Sequence, residues 1–184
     1  MSKKETKCEI EKMREMELKL LIIEFNKASQ LDRSFSKTQL STKNKKKFRD
    51  ELLEHCMCLM KNIDDGTLGN QVIRGTIEKL TKIDPKNISF GQAQKVINVV
   101  LKQYCFIMKK NNLLKELDCP LDSTTMNVGS AAKREYGIEH ESLKRVNIKD
   151  YEGYQDIFEK EHGMRILRDR EYDKERIQNF LNFE

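Results

Sequence analysis

The sequence predicts an all-α protein, a single globular helical domain over residues 1–184 built around one buried central helix. Three observations predict it. Apolar residues recur at the i, i+3/i+4 spacing that lines one helix face, in one segment after another. Breaks such as Asp64-Asp65-Gly66 and Ile83-Asp84-Pro85 punctuate those segments, and a residue before proline avoids the helical region. The longest apolar helix pattern, Ser89 to Lys110, opens with Ser89 and Gln92 in capping-box spacing.

Ser2–Gln30 reads as one long helix. Its first half is charged, with Cys8, Ile10, Met13 and Met16 at helical spacing. Its second half is strongly apolar through Leu18, Leu20, Leu21, Ile22, Ile23 and Phe25, and is expected in the core. The first sixteen residues are expected to fray or to rest on a partner. Leu31–Asn44, rich in Ser, Thr and Lys, reads as a loop. A second helix is expected from about Lys46 to Asn62 on the stripe Phe48, Leu52, Leu53, Cys56, Leu59 and Met60. A third runs from about Thr67 to Lys82 on Leu68, Val72, Ile73, Ile77 and Leu80.

The central helix continues to about Lys110, where Lys109-Lys110 suits the negative end of the helix dipole. Its apolar face includes Val96, Ile97, Val100, Leu101, Tyr104 and Ile107. After a break at Asn111-Asn112, a short helical piece spans Leu113–Leu117, and one more turn begins near Asp122 or Ser123. Asn127–His140 is weakly patterned. Helices are expected at Tyr151–Phe158, capped by Asp150, and at Tyr172–Phe183, with a short strand or extended piece at His162–Arg170 between them. Residues 127–184 form a charged subregion expected to wrap the outside.

Charged residues make up 35% of the chain and hydrophobic ones 38%, so the core must come from a few strongly apolar helices. The five cysteines include no CxxC pair, and the three histidines are far apart, so neither a disulfide framework nor a zinc site is expected. No signal region and no run of eighteen apolar residues occurs, which points to a cytoplasmic protein without membrane contact. No motif calls for a cofactor. The richness in Lys, Asn and Ile fits a microbial, A·T-rich source.

The net charge is +5, and its distribution carries more than its size. Lys43, Lys45, Lys46, Lys47 and Arg49 follow one another with no acid between them. Such a block can neutralise nucleic-acid phosphates or form a solvated loop entering a helix. On the central helix, Gln92, Lys95, Asn98 and Lys102 share one polar arc of roughly 120°. In a cleft, burial and a neighbouring cation both disfavour an ammonium, and a neutral lysine amine is a nucleophile that forms Schiff bases. Asp122, beyond Pro120, is expected to return near this line and hold the ammonium or activate a water.

Lys95 to Leu101 followed by Pro120-Leu121-Asp122-Ser123 resembles the catalytic segment of the helix-hairpin-helix DNA glycosylases, the endonuclease III and oxoguanine-glycosylase-like group. The resemblance covers residues 88–123. It implies a lysine nucleophile at Lys95 and an aspartate partner at Asp122, acting on a flipped nucleotide of DNA. It also implies a backbone-binding turn over Ile88–Gly91, with Ser89, Gly91 and Gln92 touching DNA. Lys102 would give a more usual lysine-to-aspartate interval. The turn carries one glycine, Gly91, where the family has two, and the Lys95–Asp122 interval is long.

Other patterns point elsewhere. Arg49 to His55 and Arg134 to His140 are similar in spacing to the Arg–His pair of HEPN-type ribonucleases, with one extra residue between them. Cys119 beside Pro120 is a thiol candidate, read first as a small buried residue. Tyr151, Tyr154 and Tyr172 lie among basic residues, as in single-strand binding surfaces, but acids are equally dense there. A non-enzymatic helical module that binds a protein partner, a second copy or nucleic acid is the alternative class.

Overall fold

The central helix is buried on nearly every side, and that sets the arrangement of everything else. The computed structural model describes residues 3–29, 40–169, 173–174, 177–178 and 181, with side chains of the first helix from residue 12 to 27. Among the described residues, six unbroken α-helices run in order: α1 Lys3–Ser29, α2 Thr42–Asp64, α3 Asn70–Thr81, α4 Phe90–Ile107, α5 Ser130–Glu135 and α6 Ile148–His162. Short 3-10 helices occupy Asn111–Glu116 and Arg165–Asp169. No strand occurs among the described residues. Helices α1, α2, α3 and α6 and the first 3-10 helix all pack on α4.

The ends of α4 follow from local chemistry. Ser89 caps it: its hydroxyl accepts from the Gln92 amide, and the Gln92 side chain accepts from the Ser89 amide, completing the capping box. The helix stops three residues before Lys110. Lys109 adopts φ 54°, the Lys110 amide donates to Cys105 O at 2.9 Å, and the Lys109 amide donates to Phe106 O at 3.3 Å. Those two bonds make a Schellman closure with a lysine in the left-handed position. Phe106, Ile107 and Met108 are thereby left exposed, so Ile107 does not join the core.

Several boundaries move. Helix α2 starts at Thr42, because Ser41 caps it through the Asn44 amide at 3.1 Å. The basic block is therefore helical. Helix α3 starts at Asn70, after Gly69. Helix α6 starts at Ile148 with Asn147 as cap, and Asp150 is the third residue of its capping box. The piece expected as strand or extended is the 3-10 helix Arg165–Asp169. Residues 173–174, 177–178 and 181 are helical, and the rest of the expected Tyr172–Phe183 helix lies outside the described residues.

Burial corrects two expectations. Only one face of the apolar half of α1 enters the core, through Ile22 and Phe25 with Leu18 and Leu21 beside them. The C-terminal third does not merely wrap the outside. Tyr151, Tyr154 and Phe158 of α6 are among the largest fully buried side chains, and Tyr151 stacks at a tilt on Phe90 of α4 with ring centroids 5.1 Å apart.

Candidate functional site

The polar arc of α4 does not face open solvent. Gln92, Asn98 and Lys102 are buried, and Lys95 is partly so. The chain after α4 folds back across this arc and supplies a carboxylate to each lysine. Lys95 Nζ lies 3.7 Å from Asp122 Oδ2, with side-chain exposures of 19% and 15%. That separation exceeds an N–H···O hydrogen bond, so Asp122 is an ionic neighbour and, among the described residues, the ammonium has no hydrogen-bond partner. Asp122 is itself fixed by an Asx turn: its Oδ1 accepts from the Thr124 amide at 2.9 Å and the Thr125 amide at 3.0 Å.

Lys102 differs. Its Nζ donates to Asp169 and, at 2.8 Å, to Asp173. Burial by itself would lower its pKa, but the Asp169 carboxylate and the two hydrogen bonds outweigh burial and raise it. The Asp169 pKa is also raised, by burial and then by the nearby Asp173 and Asp122 carboxylates, against the pull of Lys102. Two acids thus share one cation. Lys102 is a staple between α4 and the C-terminal segment, and its charge is consumed there.

The loop that delivers Asp122 is held by two glutamines. Gln155 of α6 accepts from the Cys119 amide at 2.8 Å and donates to the Cys119 carbonyl at 2.9 Å. Gln94 of α4 accepts from the Leu121 amide at 3.1 Å and donates to the Leu121 carbonyl at 3.1 Å. Each side-chain amide substitutes for a strand neighbour on a buried backbone. Asn98 extends the network, donating to Gln94 at 3.0 Å and to the Tyr151 hydroxyl at 2.8 Å. Tyr151 in turn donates to Asp118 at 2.8 Å. Asp118 is fully buried between Arg74 at 3.2 Å and Arg165 at 3.0 Å. Gln94, Gln155, Asp118 and Asp169 are functional positions that no motif in the sequence marks. The loop and lysine partners that define their roles lie 27 to 67 residues away, so no local spacing signals those roles.

The turn before α4 is occupied from within the chain. Ser89 Oγ donates to Leu143 O at 2.6 Å, and the Gly91 amide donates to Val146 O at 3.2 Å. A Cβ at Gly91 would sit 2.3 Å from Leu143 O. The glycine thus allows the 142–146 turn to seat against the helix start, and Gln92 is spent in the capping box.

The basic block forms the first two turns of α2. Lys43, Lys46, Lys47 and Arg49 are exposed and Lys45 is partly so. The first turn holds no acid. The first acid along the helix is Asp50, directly after Arg49, and Glu51 lies 3.6 Å from Lys47. Cations here stand at the positive end of the helix dipole, opposite to their favourable position.

His140, Cys119, Tyr151 and Tyr154 take structural positions, while Tyr172 lies outside the described residues. His140 Nδ1 lies 2.7 Å from Asp150 Oδ2. Asp150 also accepts from the Glu139 amide at 2.7 Å. Burial would raise the Asp150 pKa, but its hydrogen bonds to Glu139, His140 and Asn147 outweigh burial and lower it. Cys119 is buried, and burial pushes its thiol well above the ordinary range, against a thiolate role. Tyr151 and Tyr154 are core residues, so they offer no stacking surface. Among the described residues, no group of three His, Cys, Asp or Glu could hold a metal ion, and no helix is long and apolar enough to cross a membrane. The chain matches no family model, no curated protein and no solved structure.

Proposed function

We propose that this all-α protein is a binding module for nucleic acid, docking phosphates on the basic start of α2. The observation that carries the reading is the placement of Lys43, Lys45, Lys46, Lys47 and Arg49 on the first two turns, with no acid in the first. Cations massed at the positive helix end oppose the helix, and an anion docked there relieves both that repulsion and the dipole. The chemistry reads backbone charge and not base sequence. Salt-dependent anisotropy with a labelled duplex tests it. The slope of log affinity against log salt should fall in magnitude by roughly 2–3 when Lys45, Lys46 and Lys47 are all changed to Ala, since each lost phosphate contact is worth about 0.9. A salt-insensitive affinity, or a slope untouched by the triple change, overturns it.

A second reading is a glycosylase/lyase-like activity on DNA at Lys95 and Asp122. It is favoured by the 3.7 Å pairing, in which the Lys95 amine, with no hydrogen bond among the described residues, stands beside a fixed carboxylate. The deprotonated amine would attack the C1′ aldehyde of a ring-opened abasic sugar. Loss of water would then leave an imine, with Asp122 taking up the ammonium proton. Borohydride should trap a covalent adduct on abasic-site DNA, lost in Lys95→Ala and kept in Lys102→Ala. An adduct that survives Lys95→Ala, or none at all, sinks this reading. The occupied turn at Ser89 and Gly91 means that backbone contacts would come from elsewhere on the surface, with the α2 block as the source proposed above.

A further inference from the structure

Helix α1 carries two apolar faces. The inner one, Leu18, Leu21, Ile22 and Phe25, packs into the core. The outer one is Met13, Met16, Leu20 and Ile23, exposed at 63%, 62%, 52% and 43%. At about 100° per residue the two faces point in roughly opposite directions. The outer residues fall at spacings of 3, 4 and 3, the a and d positions of two heptads. Lys27 occupies the next a position and ends the apolar seam.

From this geometry we infer that α1 pairs with α1 of a second copy of the chain, in parallel and in register. The flanking charges choose this occupant. The g positions are Lys12 and Lys19, and the e positions are Glu17 and Glu24. In a parallel pair, each g residue meets the e residue five positions on in the partner. Lys12 then meets Glu17 and Lys19 meets Glu24, on both sides of the seam. An antiparallel pair sets lysine against lysine and glutamate against glutamate. The same alternation of sign argues against an anionic lipid surface, which favours a basic rim. Lys19 is bound to Glu15 at 2.7 Å and Glu24 to Lys27 at 2.6 Å, but exposed pairs of this kind hold weakly and can exchange partners. Because the seam lies opposite the core face, each helix presents it away from its own body. Two heptads alone are short for a coiled coil, yet here each helix is already held on its own body.

Sedimentation velocity of the full chain over a concentration series, at low salt, tests this. The wild type should shift from monomer to dimer, and Leu20→Glu should weaken the dimer at least tenfold while leaving the melting temperature unchanged at a concentration where both chains are monomeric. Lys12→Glu with Lys19→Glu should weaken it similarly, as should Glu17→Lys with Glu24→Lys. An equimolar mixture of those two variants should recover a heterodimer. In an antiparallel pair, the lysine changes would merely exchange one like-charge contact for another, so an undiminished dimer overturns the inference. So does a monomer at every concentration, or a dimer that Leu20→Glu leaves intact.

Discussion

Lys109 shows how one residue can be held against its own preference. It closes α4 at φ 54°, where a side chain costs about 1–2 kcal/mol relative to the right-handed region. The closure persists because the Lys109 and Lys110 amides satisfy the carbonyls of Phe106 and Cys105. Lys109→Gly should therefore raise stability by about 1 kcal/mol, read as a higher denaturation midpoint in urea with an unchanged slope. A lower midpoint would show that the lysine side chain has a holding role of its own. Gly91 is the converse case. Its φ is not in the left-handed region, yet the Leu143 carbonyl, which would lie 2.3 Å from an added Cβ, leaves no room for a side chain.

At the scale of elements, the 117–122 segment has neither helix nor strand to satisfy its backbone, and two glutamines do so instead. Gln155→Leu leaves a buried amide and a buried carbonyl of Cys119 without partners. The expected loss is roughly 2–5 kcal/mol, with faster hydrogen exchange concentrated at Cys119. Gln94→Leu should act likewise at Leu121 and should also displace Asp122 from Lys95. Destabilisation spread evenly over the helices, with no local rise in exchange at 119, would count against this account. The candidate site is thus supported by side chains from α4 and α6, and the Lys95–Asp122 geometry depends on both helices.

For the whole molecule, the charges buried between elements set the response to pH. The Asp150 pKa is lowered on folding, so its contribution is present above the unfolded value of about 3.9 and is lost as pH falls through the native one. Asp150→Asn should flatten the acid limb of a stability-against-pH curve while lowering its plateau. An acid limb identical to the wild type's would place the sensitivity in other groups. Lys102 and Asp169 run the other way. Both pKa values are raised. Asp169 therefore contributes least once pH has risen through its native value, and Lys102 loses its contribution only above about 10.4.

The sequence by itself determined the helical class, the central helix and its Ser89–Gln92 cap, because periodicity and capping are local chemistry. It also pointed to Lys95 with Asp122 and to the basic block as residues of interest. Tertiary structure decided the rest. Leu20 and Ile23 read like Ile22 in the sequence, and only the position of the body selects which face of α1 is covered. Lys102 and Lys95 read alike on one polar line, and only the returning C-terminal segment distinguishes them, saturating the first with Asp169 and Asp173 and setting a single Asp122 near the second. The start of α2 lies four residues before the expected Lys46, because the lysine run looks like a loop until Ser41 caps it. The physical reason is common to all three. Helix formation is decided within a few residues, whereas burial and ion pairing are decided by groups that folding brings from far along the chain.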